Sequence, residues 1–191
     1  MIIIHDNLPS CLQAAKVAGE MDRQMGNKTD CALLGFVVKM KENYQHFRDN
    51  MPEEKFVKVF TFNSSRKSMS TVVPLVEKEG GGYRVHCKGA SEIVLSKCTA
   101  IIGEDGTLTS LNSEERRNIV KTVVESMADD GLRTICLAYR DFPKGTNQDW
   151  DDEDAVISEL TAIGIVGIED PVRDEVSNVF FIFYGKYART S

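Results

Sequence analysis

Residues 27–30 read Asn27-Lys28-Thr29-Asp30, the Asn-Lys-x-Asp spelling with which guanine-nucleotide-binding proteins read their base. That chemistry needs a buried apolar strand before the tetrapeptide and a Gly-x-x-x-x-Gly-Lys-Ser/Thr loop to cradle phosphates. The preceding AGEMDRQM is polar, and the nearest phosphate-loop approach, Gly19 to Thr29, has the wrong spacing, with an Asn between Gly26 and Lys28. The guanine reading therefore fails. No Gly-x-Gly-x-x-Gly follows a strand-like segment, and no His/Cys/carboxylate cluster has metal-ligand spacing. His5, His46 and His86 lie far apart, and no Gly-x-Ser-x-Gly elbow supports a nucleophilic serine. What remains is charge. From Lys55 to Lys97 eight Lys/Arg face three acids, a net +5 inside a chain of net charge -6. Such an island can hold a small anion, and a solvated basic face is an equal alternative.

The elements that must position these residues follow from period and punctuation. A chain of 191 residues with 42% apolar and 27% charged content buries a core and reads as a folded, soluble protein, one domain or one domain with attached pieces. The negative balance argues against a nucleic-acid partner. The apolar run Val179 to Tyr184 is six residues long, against the roughly 20 of a membrane-spanning helix, so no membrane contact is expected. The start MIIIHDNLPS lacks the basic n-region of a secretory signal, and a cytoplasmic location is expected. Cys11, Cys31, Cys87, Cys98 and Cys136 are odd in number without Cys-x-x-Cys spacing, which suits reduced core thiols.

Cys11 to Gln24 has helical composition, and Leu33, Phe36, Val37, Met40, Tyr44 and Phe47 form one stripe of a helix over 29–48, closed by Pro52. KFVKVFTF, MSTVVPLV and YRVHCKG are strand-like, with a turn at Gly80-Gly81-Gly82 between the last two. A short helix follows over 91–97. A longer one over 114–128 can be capped by Asn112 or Ser113 and stopped at Gly131. LRTICLAYR and LTAIGIVGIED predict two further strands around the acidic loop NQDWDDED. Helices do not alternate regularly with strands, so the expected class is α+β, an antiparallel β-sheet flanked by helices.

Four segments, KVFTFNSSRKSMSTVV at 58–73, CKGASEIVLSKC at 87–98, GLRTICLAYRDFP at 131–143 and GIVGIEDPVRDEV at 164–176, closely resemble the nucleotide-binding domain of P-type ion-pumping ATPases. Among these the plasma-membrane calcium-transporting ATPases look most similar. The second segment matches the family motif Lys-Gly-Ala-Pro-Glu with Ser91 in the proline position. In this family ATP is held without a glycine-rich loop, by stacking of adenine on an aromatic ring and by lysine charge. The resemblance implies that Phe62 stacks the base, Lys67 faces the phosphates and Met69 lines the adenine cleft. It further implies Lys88 at the bottom of the pocket, Gly89 for close backbone approach, Arg133 at the phosphate or ribose end, and Ile135 beside it. Asp30 stands where the family carries an acid near the adenine amino group. Ser64 occupies a position where related pumps carry an arginine aimed at the phosphates.

The family's phosphorylation motif Asp-Lys-Thr-Gly-Thr, its Thr-Gly-Glu motif, its magnesium-binding Gly-Asp-Gly-x-Asn-Asp motif and its membrane helices do not occur in the 191 residues. The resemblance thus implies a divergent, partly helical segment over 1–25, a nucleotide-binding domain over 26–163, a hinge return over 164–176 containing Asp170-Pro171-Val172-Arg173, and a divergent tail over 177–191. In that tail Val179 to Tyr184 is expected to be an exposed, sticky segment. The implied function is the ATP-binding part of a calcium pump, with ATP as ligand, and with magnesium, calcium ions and calmodulin engaged only by the full-length relatives. The alternative is a non-catalytic, truncated isoform that acts as a nucleotide-binding or interaction module. Phosphoryl transfer needs in-line positioning and a metal clamp. The 191-residue chain alone should accordingly release no phosphate from ATP above buffer background, and phosphate release that disappears on Lys67→Ala would contradict this.

Overall fold

The computed structural model describes residues 16–18, 23–25, 27–41, 44–77, 80–169, 179–183 and 186–188. Two short strands come first, β1 (Lys16–Ala18) and β2 (Arg23–Met25), paired antiparallel. This corrects the helical expectation for Cys11 to Gln24 wherever that segment is described, since pairing between two short stretches overrides a weak helical propensity. Helix α1 (Lys28–Lys39) follows, with Asn27 as N-cap accepting a hydrogen bond from the Thr29 N–H at 2.9 Å. The single helix expected over 29–48 is two: α1 stops at Met40, and α2 (Tyr44–Asn50) starts anew. Lys41 is the cause of the break. Its φ of 61° is left-handed, and such a residue ends a right-handed helix.

The strands expected between 55 and 89 form as β3 (Lys58–Asn63), β4 (Ser68–Pro74) and β5 (Tyr83–Ala90), consecutive and antiparallel. Gly80, Gly81 and Gly82 make the β4–β5 turn, all with positive φ, as glycine alone does without strain. Helix α3 (Ser91–Ser96) leads into β6 (Cys98–Ile102) and β7 (Leu108–Ser110), two strands absent from the sequence reading. The helix expected over 114–128 is α4 (Ser113–Ile119), a π turn over Val120–Val124, and α5 (Glu125–Asp129). Asn112 and Glu115 cap its start reciprocally, and Gly131 ends it at φ 78°. Then come β8 (Leu132–Phe142), α6 (Glu153–Val156), β9 (Leu160–Glu169), β10 (Val179–Phe183) and β11 (Lys186–Ala188).

One nine-stranded sheet runs β11-β10-β9-β8-β5-β4-β3, with β6 beside β9 and β7 beside β6. The fold is α+β as expected, and its described pairings are antiparallel except β6 with β9. Val179–Phe183 is bonded to β9 on one side and β11 on the other, so its backbone is not the free segment expected. An apolar, β-prone stretch satisfies its N–H and C=O groups by joining a sheet edge. Tyr184 and the Asp170–Arg173 hinge lie outside the described residues.

Helices cover both faces. On one, Leu33, Leu34, Phe36 and Val37 of α1 pack against Ile135, Leu137, Ile163 and Val166. On the other, Val94, Leu95, Ile119, Met127 and Val156 pack against Val72, Val85, Cys87, Cys136 and Ala138. Cys87, Cys98 and Cys136 are free and fully buried in this second core, and burial pushes the Cys87 thiol up to about 11.

His86 is also interior, and its Nδ1 has no hydrogen-bond partner. Burial, reinforced by the Arg84 guanidinium, lowers its pKa from 6.5 to about 3. The folded state keeps the imidazole neutral while the unfolded chain takes up a proton below pH 6.5. Stability from this group is therefore complete above pH 6.5 and lost as pH falls towards 3, by up to about 1.4 kcal/mol per pH unit. His86→Gln should flatten urea-unfolding stability against pH by about one proton over that window; an unchanged slope would assign the acid sensitivity elsewhere.

Candidate functional site

Strand register gathers the residues that the sequence scatters. Pairing of β4 with β5 sets Met69 opposite Lys88 and Ser68 opposite Gly89, and pairing of β5 with β8 sets Lys88 opposite Leu137 and Ala90 opposite Ile135. Directly opposed residues share a face. Met69, Lys88 and Leu137 thus form one row, and Ala90 and Ile135 the next, on the face that α1 covers. At the N-terminal end of α1 this face opens into a cavity of about 480 Å³.

Asp30, Phe62, Lys67, Met69, Lys88, Gly89, Arg133 and Ile135 all line that cavity. They come from α1, β3, the β3–β4 turn, β4, β5 and β8. Asn27, Thr29, Ser64, Ala90 and Thr134 complete the wall; of these the sequence reading had placed Ser64 at the phosphate end and had assigned no contact to Ala90 or Thr134. A signal was available for most: Asn27 and Thr29 sit within a helical turn of Asp30, and Ala90 and Thr134 adjoin residues already singled out.

Pairing of β3 with β4 is regular up to Phe60 opposite Ser70, then shifts before Asn63 opposite Ser68. Phe62 lies in that irregular stretch. The residue is 61% exposed, unusual for so large an apolar group on a strand, and it lines the cavity. The turn after it is closed by the Ser65 N–H donating to Asn63 Oδ1 at 2.8 Å and the Lys67 N–H donating to the Asn63 carbonyl at 2.6 Å. Lys67 is left-handed at φ 51°. Gly89 faces this turn so closely that a Cβ on it would stand 2.5 Å from the Lys67 carbonyl oxygen and 2.6 Å from Ser68 Cβ. The close approach that demands glycine here is therefore between two pieces of the protein's own backbone.

Asp30 and Lys88 form an ion pair across the α1–sheet interface, with side chains 7% and 6% exposed. A buried lysine needs such a partner, because an isolated charge cannot leave water cheaply. The opening tetrapeptide thus has a structural meaning: Asn27 caps the helix, Thr29 reaches the cavity and Asp30 neutralises Lys88.

The same pairing runs through the basic island. Lys58 pairs with Asp151, Arg66 with Glu153 and Arg84 with Asp141, the last two at 2.6 Å. Lys67 differs, being an exposed cation on the cavity rim with no acid partner among the described residues. The cavity accordingly offers an exposed aromatic face, an apolar floor of Met69 and Ile135, a neutralised buried pair and a cationic rim. That combination can hold a flat heteroaromatic ring attached to an anion. Among the described residues no group of three His, Cys, Asp or Glu could hold a metal ion, and no helix is long and apolar enough to cross a membrane.

Comparison with known proteins bears on this geometry. Residues 9–175 match the family model for the P-type ATPase cytoplasmic domain N. The chain is 54% identical over 158 residues to human plasma membrane calcium-transporting ATPase 3, covering 83% of this chain and 13% of that protein. It is 55% identical over 158 residues to plasma membrane calcium-transporting ATPase 4 of Bos taurus, with the same coverage. To plasma membrane calcium-transporting ATPase 1 of Gallus gallus it is 54% identical over 159 residues, again with 83% and 13% covered. The chain thus spans about an eighth of the length of the curated relatives it matches.

The buried pair sets a stability test. Asp30→Ala or Lys88→Met alone should cost about 3–5 kcal/mol, because each removes the opposite charge from a buried ionised group. Asp30→Leu combined with Lys88→Met should recover most of that loss. Urea denaturation gives the three values, and single losses below about 1 kcal/mol would show that water reaches the pair.

Proposed function

The chain belongs to the P-type ATPase family as its cytoplasmic domain N, and from that premise we propose that the cavity binds ATP. Adenine stacks on Phe62 over the floor of Met69 and Ile135, and the phosphates extend towards Lys67 and Arg133. The observation that carries this reading is convergence: eight residues spread from position 30 to position 135 line one cavity. Its size suits a small ligand, since such sites run from roughly 300 to 1,000 Å³. Gly89 contributes by letting β5 meet the 67–68 turn, which sets the cavity's width.

Each contact has its own physical basis. Stacking on an exposed ring contributes about 1–3 kcal/mol and tolerates any base. A charge-assisted contact from Lys67 contributes about 1.5–3 kcal/mol and acts on the phosphates. Lys88 adds little net charge because Asp30 balances it, so its role is to fix the Asp30 carboxylate near the adenine amino group, where that carboxylate favours adenine over guanine. With Ser64 where an arginine would add another cation, phosphate binding rests chiefly on Lys67 and Arg133. The wider activity, calcium transport energised by ATP, is what the names of the relatives state of them, and we propose it for the whole pump of which such a domain is one part. Engagement of magnesium, calcium ions and calmodulin is likewise proposed for that whole alone.

Titration calorimetry tests the site. ATP should bind with a dissociation constant in the high micromolar to millimolar range, about -4 to -6 kcal/mol, because association entropy offsets part of the contact energy. Phe62→Ala should weaken ATP, ADP and AMP by similar factors, whereas Lys67→Ala should weaken ATP more than AMP. GTP should bind worse than ATP, and chelating magnesium should change ATP affinity little. Equal affinity for ATP and GTP would remove the role of Asp30. Amide shifts on ATP addition that spare Phe62, Lys67 and Lys88 would remove the site.

A further inference from the structure

Arg66 immediately precedes Lys67 and does not line the cavity. Each of its three guanidinium nitrogens is nevertheless engaged. Nη2 donates to the Thr61 carbonyl, Nε donates to the Ser68 carbonyl at 3.3 Å, and Nη1 lies 2.6 Å from Oε1 and 2.7 Å from Oε2 of Glu153. Thr61 and Ser68 are the residues on either side of the segment that carries Phe62 and Lys67. One planar group therefore grips both ends of the turn on the cavity wall.

The anchor for this grip is firm. Glu153 opens α6, whose first turn is capped by Asp152 Oδ1 accepting from the Ala155 N–H at 3.1 Å, and Val156 at its end is completely buried. Just before it, Trp150 packs edge-on against Tyr83 and Phe142, with ring centroids 5.0 and 5.3 Å apart. Lys67 needs the support because its φ of 51° is one that residues with a Cβ disfavour. Its own backbone is bonded on both sides, N–H to the Asn63 carbonyl and carbonyl to the Ala90 N–H at 2.9 Å.

We propose that Arg66 is a positioning residue: held by Glu153, it keeps the Thr61–Ser68 turn closed and so fixes Lys67 in the left-handed conformation that presents its ammonium at the cavity rim. The proposal rests on the nucleotide reading for its effect on affinity, while its effect on Lys67 is independent of any ligand. Lysine cannot substitute for Arg66, because reaching two carbonyls and a carboxylate at once takes the guanidinium's fixed fork.

The test combines ATP titration of the 191-residue chain with the one-bond Cα–Hα coupling of Lys67, which reports the sign of φ. Arg66→Met and Arg66→Lys should each weaken ATP about tenfold and Glu153→Gln about threefold, and adding Arg66→Met to Lys67→Ala should weaken ATP less than about twofold further. The coupling should show Lys67 leaving positive φ in Arg66→Met. Circular dichroism establishes that each variant folds, and Glu153→Gln serves if Arg66→Met does not. Wild-type binding of ATP with all three single variants within twofold of it, or full additivity with Lys67→Ala, overturns the proposal. Absence of ATP binding by the wild-type chain instead overturns the nucleotide reading, and the coupling then decides: an unchanged Lys67 in Arg66→Met or Glu153→Gln overturns the positioning role.

Discussion

The buried ion pair between Asp30 and Lys88 is the constraint on which the cavity depends. Lys88 lies near the C-terminal end of β5, where neighbouring strands and α1 bury it, and a lone ammonium there would cost several kcal/mol. Asp30 removes that cost only if α1 docks with its first turn over β5. The pair therefore specifies where the helix begins on the sheet, more than it stabilises the fold. Behind it, Leu33, Leu34, Phe36 and Val37 provide the apolar burial that holds the helix down. In front of it the sheet face is left uncovered, and that gap is the cavity.

Charge in this protein is arranged by folding rather than by composition. The basic island between Lys55 and Lys97 and the acidic loop NQDWDDED are separate features of the chain. Folded, Lys58 and Arg66 meet Asp151 and Glu153 from that loop, while Arg84 meets Asp141. Lys58–Asp151 and Arg84–Asp141 reach solvent and contribute little stability individually, whereas Arg66–Glu153 is part-buried. Their consequence is local: they leave Lys67, on a strained turn, as a cation at the cavity rim without an acid partner among the described residues.

A site built in this way differs from a phosphate loop in what it recognises. A glycine-rich loop reads phosphates with a row of backbone N–H groups. Here an exposed ring, an apolar floor and a rim of side-chain charge face the cavity, so the nucleotide proposed for it would meet separate parts of the wall with its ring and its anionic end. Glycine serves another purpose in this wall. At Gly89 the missing Cβ lets β5 approach the turn that carries Lys67, and the width of the site depends on that approach.

The sequence by itself determined the class and most of the elements. β-Branched and aromatic content at 55–62, 69–76, 83–89, 132–140 and 160–170 specified strands, Asn112 and Gly131 bounded a helix, and motif order specified a family. These are local signals, and local chemistry suffices to read them. The strands β6, β7, β10 and β11 were less legible because short segments owe their conformation to a partner strand rather than to their own propensity. The break at Lys41 was hidden because an apolar stripe continues on both sides of a single left-handed residue. The eight residues that line the cavity could be named from the family resemblance, but what each does to its neighbours could not. Only the tertiary structure decided that Asp30 neutralises Lys88 across 58 residues of sequence, and that Arg66 binds Glu153 across 87. Electrostatic partnership depends on distance in space and on the exclusion of water, and neither is written in the order of residues along the chain.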